Sequence, residues 1–338
     1  MKKCLIVLLA LALPFALSAG GQSEAPKYPT PEKPLVLKGG MVPPPHAPQA
    51  KSCYLWSDYV KAATNGAVFI EVFPAEQLGV ERVLLENTNL GTIDWTYVGP
   101  GGAERLTPEF GMFDAAYAIQ GQKHLRNSLF NREFVDFMDT VIAKNSNVNF
   151  LGFGWVGSRH ALFNKPVRTP EEGAGLKMRV PDVPMYKIAA QAMGCTPTAI
   201  SYGESYMAMS QGVVDGAEGP YQGIHDVKWY EVRKVVTETS HVESLGAIFM
   251  HKNSMAKMSP EQQKLVRDNA FKAMVDSFEI ALKQDNEYKE KLTKFGVQFI
   301  TLTEAQKQVF VKRAQALLEK DYIPKWGNAW KVFSDLAK

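Results

Sequence analysis

Between residues 35 and 98 the chain alternates short apolar runs with helix-length segments, and this rhythm constrains the fold more than any other feature. Leu35-Val-Leu-Lys-Gly-Gly reads as a first strand. A loop over residues 39–48 leads into a helix ending near Thr64, residues 68–73 make a second strand with Glu71 on its polar face, residues 80–90 a helix and residues 92–98 a third strand. Strand–helix alternation of this kind argues for an α/β fold with a mainly parallel sheet and helices on both faces. Residues 109–147 read as mostly helical after an apolar loop, and residues 149–155 and 160–164 as two further strands. A long helix over residues 259–295 opens with Ser259-Pro-Glu-Gln, a cap with proline and an acid in the first turn, and helices over 305–320 and 322–336 close the chain.

A second unit carries the most distinctive chemistry. In Gly175-Leu-Lys-Met-Arg-Val-Pro181, Leu176, Met178 and Val180 share one face of a short strand while Lys177 and Arg179 share the other. Pro181 has no N–H to donate and ends the ladder. Asp182 is placed to cap a helix over 182–193, with Pro184 in its first turn and Gly194 where a glycine ends a helix. Residues 198–200 follow as a strand and 204–211 as a short helix. A guanidinium beside a helix N-terminus is a good place to hold an anion. On spacing alone Arg179 reads equally well as a surface arginine before an ordinary helix.

Charge argues against nucleic acid as a partner. The formal charge is +3 from 38 basic and 35 acidic residues, and Lys2 and Lys3 supply two of those charges, so it is +1 beyond the first twenty residues. There is no basic run and no aromatic-plus-arginine platform. Residues 1–19 read as a secretory signal: Lys2 and Lys3, an apolar stretch from residue 5 to 17, and the small residues Ser18-Ala19-Gly20. An N-terminal membrane anchor is the alternative, but the stretch is short for a span and contains Pro14. Gly20 and Gly21 stand where a lipoprotein signal would need a cysteine. The chain is therefore expected in the periplasm or another extracytoplasmic space, without a lipid anchor. Residues 20–33, polar and proline-rich, read as a disordered linker. Cys53 and Cys195 are expected as buried thiols, since neither has the Cys or His neighbours of a metal or redox site.

The blocks Pro170-Glu-Glu-Gly-Ala-Gly-Leu-Lys-Met-Arg-Val-Pro181 and Gly212-Val-Val-Asp-Gly-Ala-Glu-Gly-Pro220 resemble the core pattern of the DctP family, the solute-binding proteins of tripartite ATP-independent periplasmic (TRAP) transporters. Asn65-Gly-Ala-Val-Phe-Ile-Glu-Val-Phe-Pro-Ala-Glu-Gln-Leu-Gly79 and Leu90-Gly-Thr-Ile-Asp-Trp95 resemble further blocks, in the family's order. The resemblance implies a two-lobed periplasmic-binding-protein-like fold, each lobe a mainly parallel sheet flanked by helices, around a central ligand cleft. Aligning the blocks places lobe one at 34–156 plus 245–284 and lobe two at 157–244 plus 285–338. The implied function is capture of an organic-acid ligand by lobe closure and its delivery to an integral-membrane TRAP permease.

The same resemblance assigns candidate ligand-binding residues. Arg179 and Arg159, the latter in Gly157-Ser-Arg-His160, would clamp the ligand carboxylate; two planar forks can accept it with several charge-assisted bonds. Arg159 could instead pair with Glu171 or Glu172. Tyr202 would pack on the ligand and His241 stand near it or its waters, while Glu218 belongs to a turn that Asp215 fixes through backbone bonds. Trp155 and Phe153 are candidates for the cleft wall or for the core. Gly219 stands where the family often has Asn, and Gly99 where some sugar-acid binders have Glu. The two missing polar groups suggest a simple or apolar carboxylate between walls such as Met112, Phe113 and Trp155.

No catalytic constellation accompanies these residues. The six histidines are scattered, and no His-x-x-x-His, Cys-x-x-Cys or Gly-x-Ser-x-Gly occurs. Gly152-Phe-Gly-Trp-Val-Gly157 spells a dinucleotide pattern, but Pro166 follows too soon for the required helix and Lys177 stands near where the acid belongs. No cofactor is expected, and ligands for an assisting metal cannot be picked out. The alternatives to a TRAP binder are a solute-binding protein of an ATP-driven importer and a secreted enzyme.

Overall fold

The computed structural model describes residues 27–338; the signal-peptide assignment and residues 20–26 of the linker lie outside them. Residues 27–33 depart from the disorder expected of them. Thr30 and Lys33 form a β-bridge, and Pro29 O accepts from Gln262 Nε2 at 2.9 Å.

Among the described residues nine strands form the sheet: β1 (Leu35–Met41), β2 (Val68–Phe73), β3 (Trp95–Val98), β4 (Val148–Phe163), β5 (Lys177–Val180), β6 (Thr196–Ala199), β7 (Gly216–Gly219), β8 (Val235–His251) and β9 (Gln298–Thr301). The spatial order is β2-β1-β3-β8-β4-β7-β5-β6, with β9 also on β8. The outer pairs are parallel; β4 and β8 run antiparallel to each other through the middle. The C-terminal half of β8 pairs with β3 and its N-terminal half with β9, while β4 reaches β7 only near its C-terminus. Two long strands thus pass from one lobe into the other.

The strands expected at 149–155 and 160–164 are one, β4. Its register against β8 shifts at three places, and Gly152 and Gly157 sit at two of these with φ of +146° and +137°. Those bulges need glycine and bend the strand without breaking it. The dinucleotide-like pattern lies inside β4, with no phosphate-binding turn. Residues 216–219, expected as part of a turn, are strand β7 between β4 and β5, and Asp215 Oδ2 accepts the Lys177 N–H at 2.8 Å beside it.

Local signals set the helices. Pro48 opens Pro48–Ala63, and full capping boxes start Pro260–Lys294 (Ser259 with Gln262) and Glu304–Asp321 (Thr303 with Gln306). The helix Pro184–Ala192 starts from Val183 without a side-chain cap. Asp182, expected as that cap, instead meets Arg105 Nη2 at 2.9 Å and Lys187 Nζ at 3.1 Å. Cys53 and Cys195 are buried and unbridged.

Cores flank both halves of the sheet. Trp56, Trp95 and Met274 pack helices Pro48–Ala63 and Pro260–Lys294 against β1 and β3; Met178, Val180 and Phe310 pack β5 against Glu304–Asp321. The last helix, Ile323–Asp335, departs from the expected division of lobes. Phe333 packs on Phe113 and Phe134, and its carbonyl is 2.8 Å from His124 Nε2, so residues 323–335 cover lobe one. The apolar rings of this helix need a partner, and the aromatic cluster around Phe113 supplies it. The helix Pro260–Lys294 is likewise continuous across the expected boundary at 284/285.

Candidate functional site

A cavity of about 710 Å³ lies where β4 and β8 cross between the lobes. Arg179, Arg159 and Tyr202 line it; Trp155, His241 and Glu218 do not.

Arg179 is 2 % exposed at the end of β5, where the strand pattern puts it opposite the core residues Met178 and Val180. Its Nε donates to Ile200 O at 2.8 Å, and its guanidinium carbon is 5.6 Å from the Trp229 ring. No carboxylate lies within ion-pair distance of it among the described residues. Burial lowers its pKa to about 10, with Arg159 adding to the effect, so it remains a cation near neutrality.

Arg159 is committed to an acid, though not to Glu171 or Glu172. Its Nε and Nη2 donate to Glu218 Oε2 and Oε1 at 2.6 and 2.5 Å, while Arg168 takes Glu172. Tyr186 stacks 4.5 Å from the Arg159 guanidinium. Glu218 is fully buried. Burial alone would raise its carboxyl, but Arg159 and the hydrogen bond from His241 bring it down to about 2. His241 Nε2 is 3.1 Å from Glu218 Oε2, and its Nδ1 is 2.8 Å from Thr239 Oγ1. Glu218 and His241 therefore stand behind Arg159 and fix its fork.

The apolar wall is not the expected one. Met112, Phe113 and Phe153 belong to the lobe-one core, with Phe153 4.5 Å from both Phe113 and Phe150. Trp155 also turns inward: its Nε1 donates to Glu243 Oε2 at 2.9 Å and its ring lies 5.6 Å from Phe278. The bulge after Trp155 leaves Val156, the next residue, on the cavity, together with Val80, Leu85 and Leu245.

The two glycines that suggested a less polar pocket are compensated by other elements. Glu81 Oε1 accepts the Gly99 N–H at 2.6 Å and lies 2.8 Å from where a Cβ on Gly99 would stand. A Cβ on Gly219 would meet Trp229 Cζ3 at 2.9 Å. Glu81, Glu76, Gln49 and Gln222 also line the cavity, and none of them stands out in the sequence as a site residue. Glu76 lay within a family-like block, the one available signal; the others come from helix starts with no pattern of their own.

Polar contacts cross the mouth. Gln49 Nε2 donates to Gln222 Oε1 at 3.0 Å, and Arg105 Nη2 meets Asp182 Oδ2 at 2.9 Å.

Comparison with known proteins agrees with this architecture. The model of the bacterial extracellular solute-binding protein family 7, DctP, matches residues 39–325. A solute-binding protein of Roseobacter denitrificans is 28 % identical over 77 % of this chain and 79 % of its own length. The C4-dicarboxylate-binding periplasmic protein DctP of Rhodobacter capsulatus is 28 % identical over 82 % and 80 %. A TRAP periplasmic solute-binding protein of Pseudomonas putida F1 with bound D-glucuronate superposes with a TM-score of 0.82 at 26 % identity, covering 88 % of this chain and 96 % of that one. With the family match spanning most of the sequence and the two-lobed fold shared, the chain belongs to the DctP family of bacterial extracellular solute-binding proteins.

Proposed function

We propose that this protein captures a small organic acid between its lobes, with Arg179 as the anchor for the carboxylate, and delivers it to a TRAP-type membrane permease. One observation supports the anchor above all others: Arg179 is buried in the cavity wall with no carboxylate partner among the described residues. A buried, unpaired cation is costly, and an anionic ligand relieves that cost. Arg159, already neutralised by Glu218, adds a rigid neighbour and the Tyr186 face rather than a second free charge. Tyr202 supplies an aromatic wall. In relatives the named ligands are acids, a C4-dicarboxylate in one and D-glucuronate in another.

Closure follows from the topology. β4 and β8 join the lobes, so bending near the Gly157 bulge would open and close the cavity without breaking the outer pairs. Ligand shifts that equilibrium only by binding the closed form better, which contacts from both lobes provide. On this reading the chain is exported, and it has no helix long and apolar enough to cross a membrane among its described residues.

Arg179→Ala tests the proposal. Loss of a desolvated charge pair weakens carboxylate binding by about thirtyfold or more. The fold should survive, because Arg179 makes a single hydrogen bond to protein among the described residues. Calorimetric affinity unchanged in the variant across a panel of carboxylates would remove Arg179 from the site.

A further inference from the structure

The charges lining the cavity do not balance. Of its arginines, Arg82 pairs with Glu86, Arg105 with Asp182 and Arg159 with Glu218, leaving Arg179 without an acid among the described residues. Of its acids, Glu76 and Glu81 have no cation within ion-pair distance among the described residues, and Glu81 spends only Oε1 on a protein donor, the Gly99 N–H. One unmet cation therefore shares the cavity with two unmet carboxylates.

A further unmet acceptor lies in the cavity wall. Gln222 Nε2 donates to the Asp226 carboxylate, which fixes the orientation of that amide, since a flip would set carbonyl oxygen against carboxylate. Gln222 Oε1 must then accept, and it takes Gln49 Nε2 at 3.0 Å. That leaves Gln49 Oε1 as an acceptor with no partner, on a residue 4 % exposed that lines the cavity. A buried acceptor left unmet is rare and costly. Gln49 Oε1 is itself buried, so a ligand donor reaches it only if the Gln49–Gln222 contact shifts; the acceptors that line the cavity directly are those of Glu81 and Glu76.

We propose that the ligand is zwitterionic, a carboxylic acid that also carries a protonated nitrogen facing Glu81 and Glu76. This rests on the reading of Arg179 as the carboxylate anchor. A dicarboxylate would place its second charge against unpaired glutamates; an amine neutralises them and supplies the missing donors. Burial raises the carboxyl pKa of Glu81 against the pull of the Gly99 N–H, Arg159 and Arg179, and burial, then Glu204 and Glu81, raise that of Glu76 against Arg179, so a further cation beside them would be favourable. The cavity would thus distinguish this chain from its C4-dicarboxylate-binding relative.

The test is calorimetry and thermal shift on the whole protein with a length series of ω-amino acids and lysine, each beside the matched hydroxy acid and dicarboxylate, with D-glucuronate included. At least one amino acid should bind about tenfold or more tighter than its hydroxy and dicarboxylate counterparts. Glu81→Gln keeps an oxygen for the Gly99 N–H and should erase that preference; Glu76→Gln should reduce it. Dicarboxylates or D-glucuronate binding as tightly as any amino acid, in an Arg179-dependent way, would overturn the zwitterion and leave the carboxylate anchor standing. Failure of every carboxylate in the panel to bind would sink both.

Discussion

Arg159 and Glu218 meet at two points, 2.6 and 2.5 Å, with His241 Nε2 3.1 Å from the same Glu218 Oε2. All three residues are nine-tenths or more buried. A planar fork on a carboxylate held by an imidazole has little freedom to turn, so one wall of the cavity is set before any ligand arrives.

Glu218→Gln leaves the Arg159 cation buried without its counter-charge, which should cost about 3–5 kcal/mol at pH 7. The pH dependence has a definite sign. Glu218 titrates near 2 when folded, and a free glutamate near 4.3, so its contribution is complete above about pH 5 and is lost as pH falls toward 2. Urea denaturation of wild type and variant should therefore show a gap that is widest at neutral pH and narrows through pH 4 and 3. A gap constant over that range would contradict the charged pair.

Arg105 and Asp182 bridge the mouth at 2.9 Å, but their side chains are 42 % and 49 % exposed. Such a pair contributes about 0–1 kcal/mol and is screened by salt. Arg105→Ala should weaken ligand binding less than about fivefold at low ionic strength, and the difference should vanish at 0.5 M salt. A larger, salt-insensitive loss would mean that Arg105 touches the ligand.

Gly246 and Tyr97 both line the cavity, and a Cβ on Gly246 would fall 2.0 Å from Tyr97 Cζ. The ring lies directly over the strand because no side chain is there. Gly246→Ala should destabilise the fold by about 1–3 kcal/mol and weaken binding at the same time, because the displaced ring moves into the cavity. Thermal denaturation with a parallel titration checks both effects.

Local signals made much of the fold legible. The ends of β2 and β5 are legible in the sequence, because a short apolar run ending at Pro74 or Pro181 is punctuated by its own residues. The block 175–181 marks Arg179 as a candidate, whereas Tyr202 is indicated by the family resemblance alone. β8 is harder to read as one strand because Thr, Glu, Ser and His interrupt its first half, and only Leu245–Met250 forms a continuous apolar run. The facing of Trp155 depended on a bulge in β4, and the partner of Arg159 lay on a neighbouring strand, neither of which residue spacing encodes. Glu81 was hidden in another way: it reaches Gly99 from a separate helix, so the acid appears in the cavity with no side chain at the matching position.

The C-terminal helix gives the sharpest test of how the lobes are built. Phe333 is fully buried, 5.4 Å from Phe113 and 6.0 Å from Phe134, and its carbonyl meets His124 Nε2. These partners belong to the N-terminal part of the chain, so Ile323–Asp335 closes lobe one rather than extending lobe two. Phe333→Ala removes a ring from a packed aromatic cluster, at a cost of about 3–5 kcal/mol. None of these residues lines the cavity, so folded variant should bind ligand with wild-type affinity at a temperature well below its transition. Under hydrogen exchange, loss of protection should spread through the helices Gly121–Leu129 and Arg132–Ala143 and spare β5 and β6. Loss confined to β5, β6 and Glu304–Asp321 would return the last helix to lobe two.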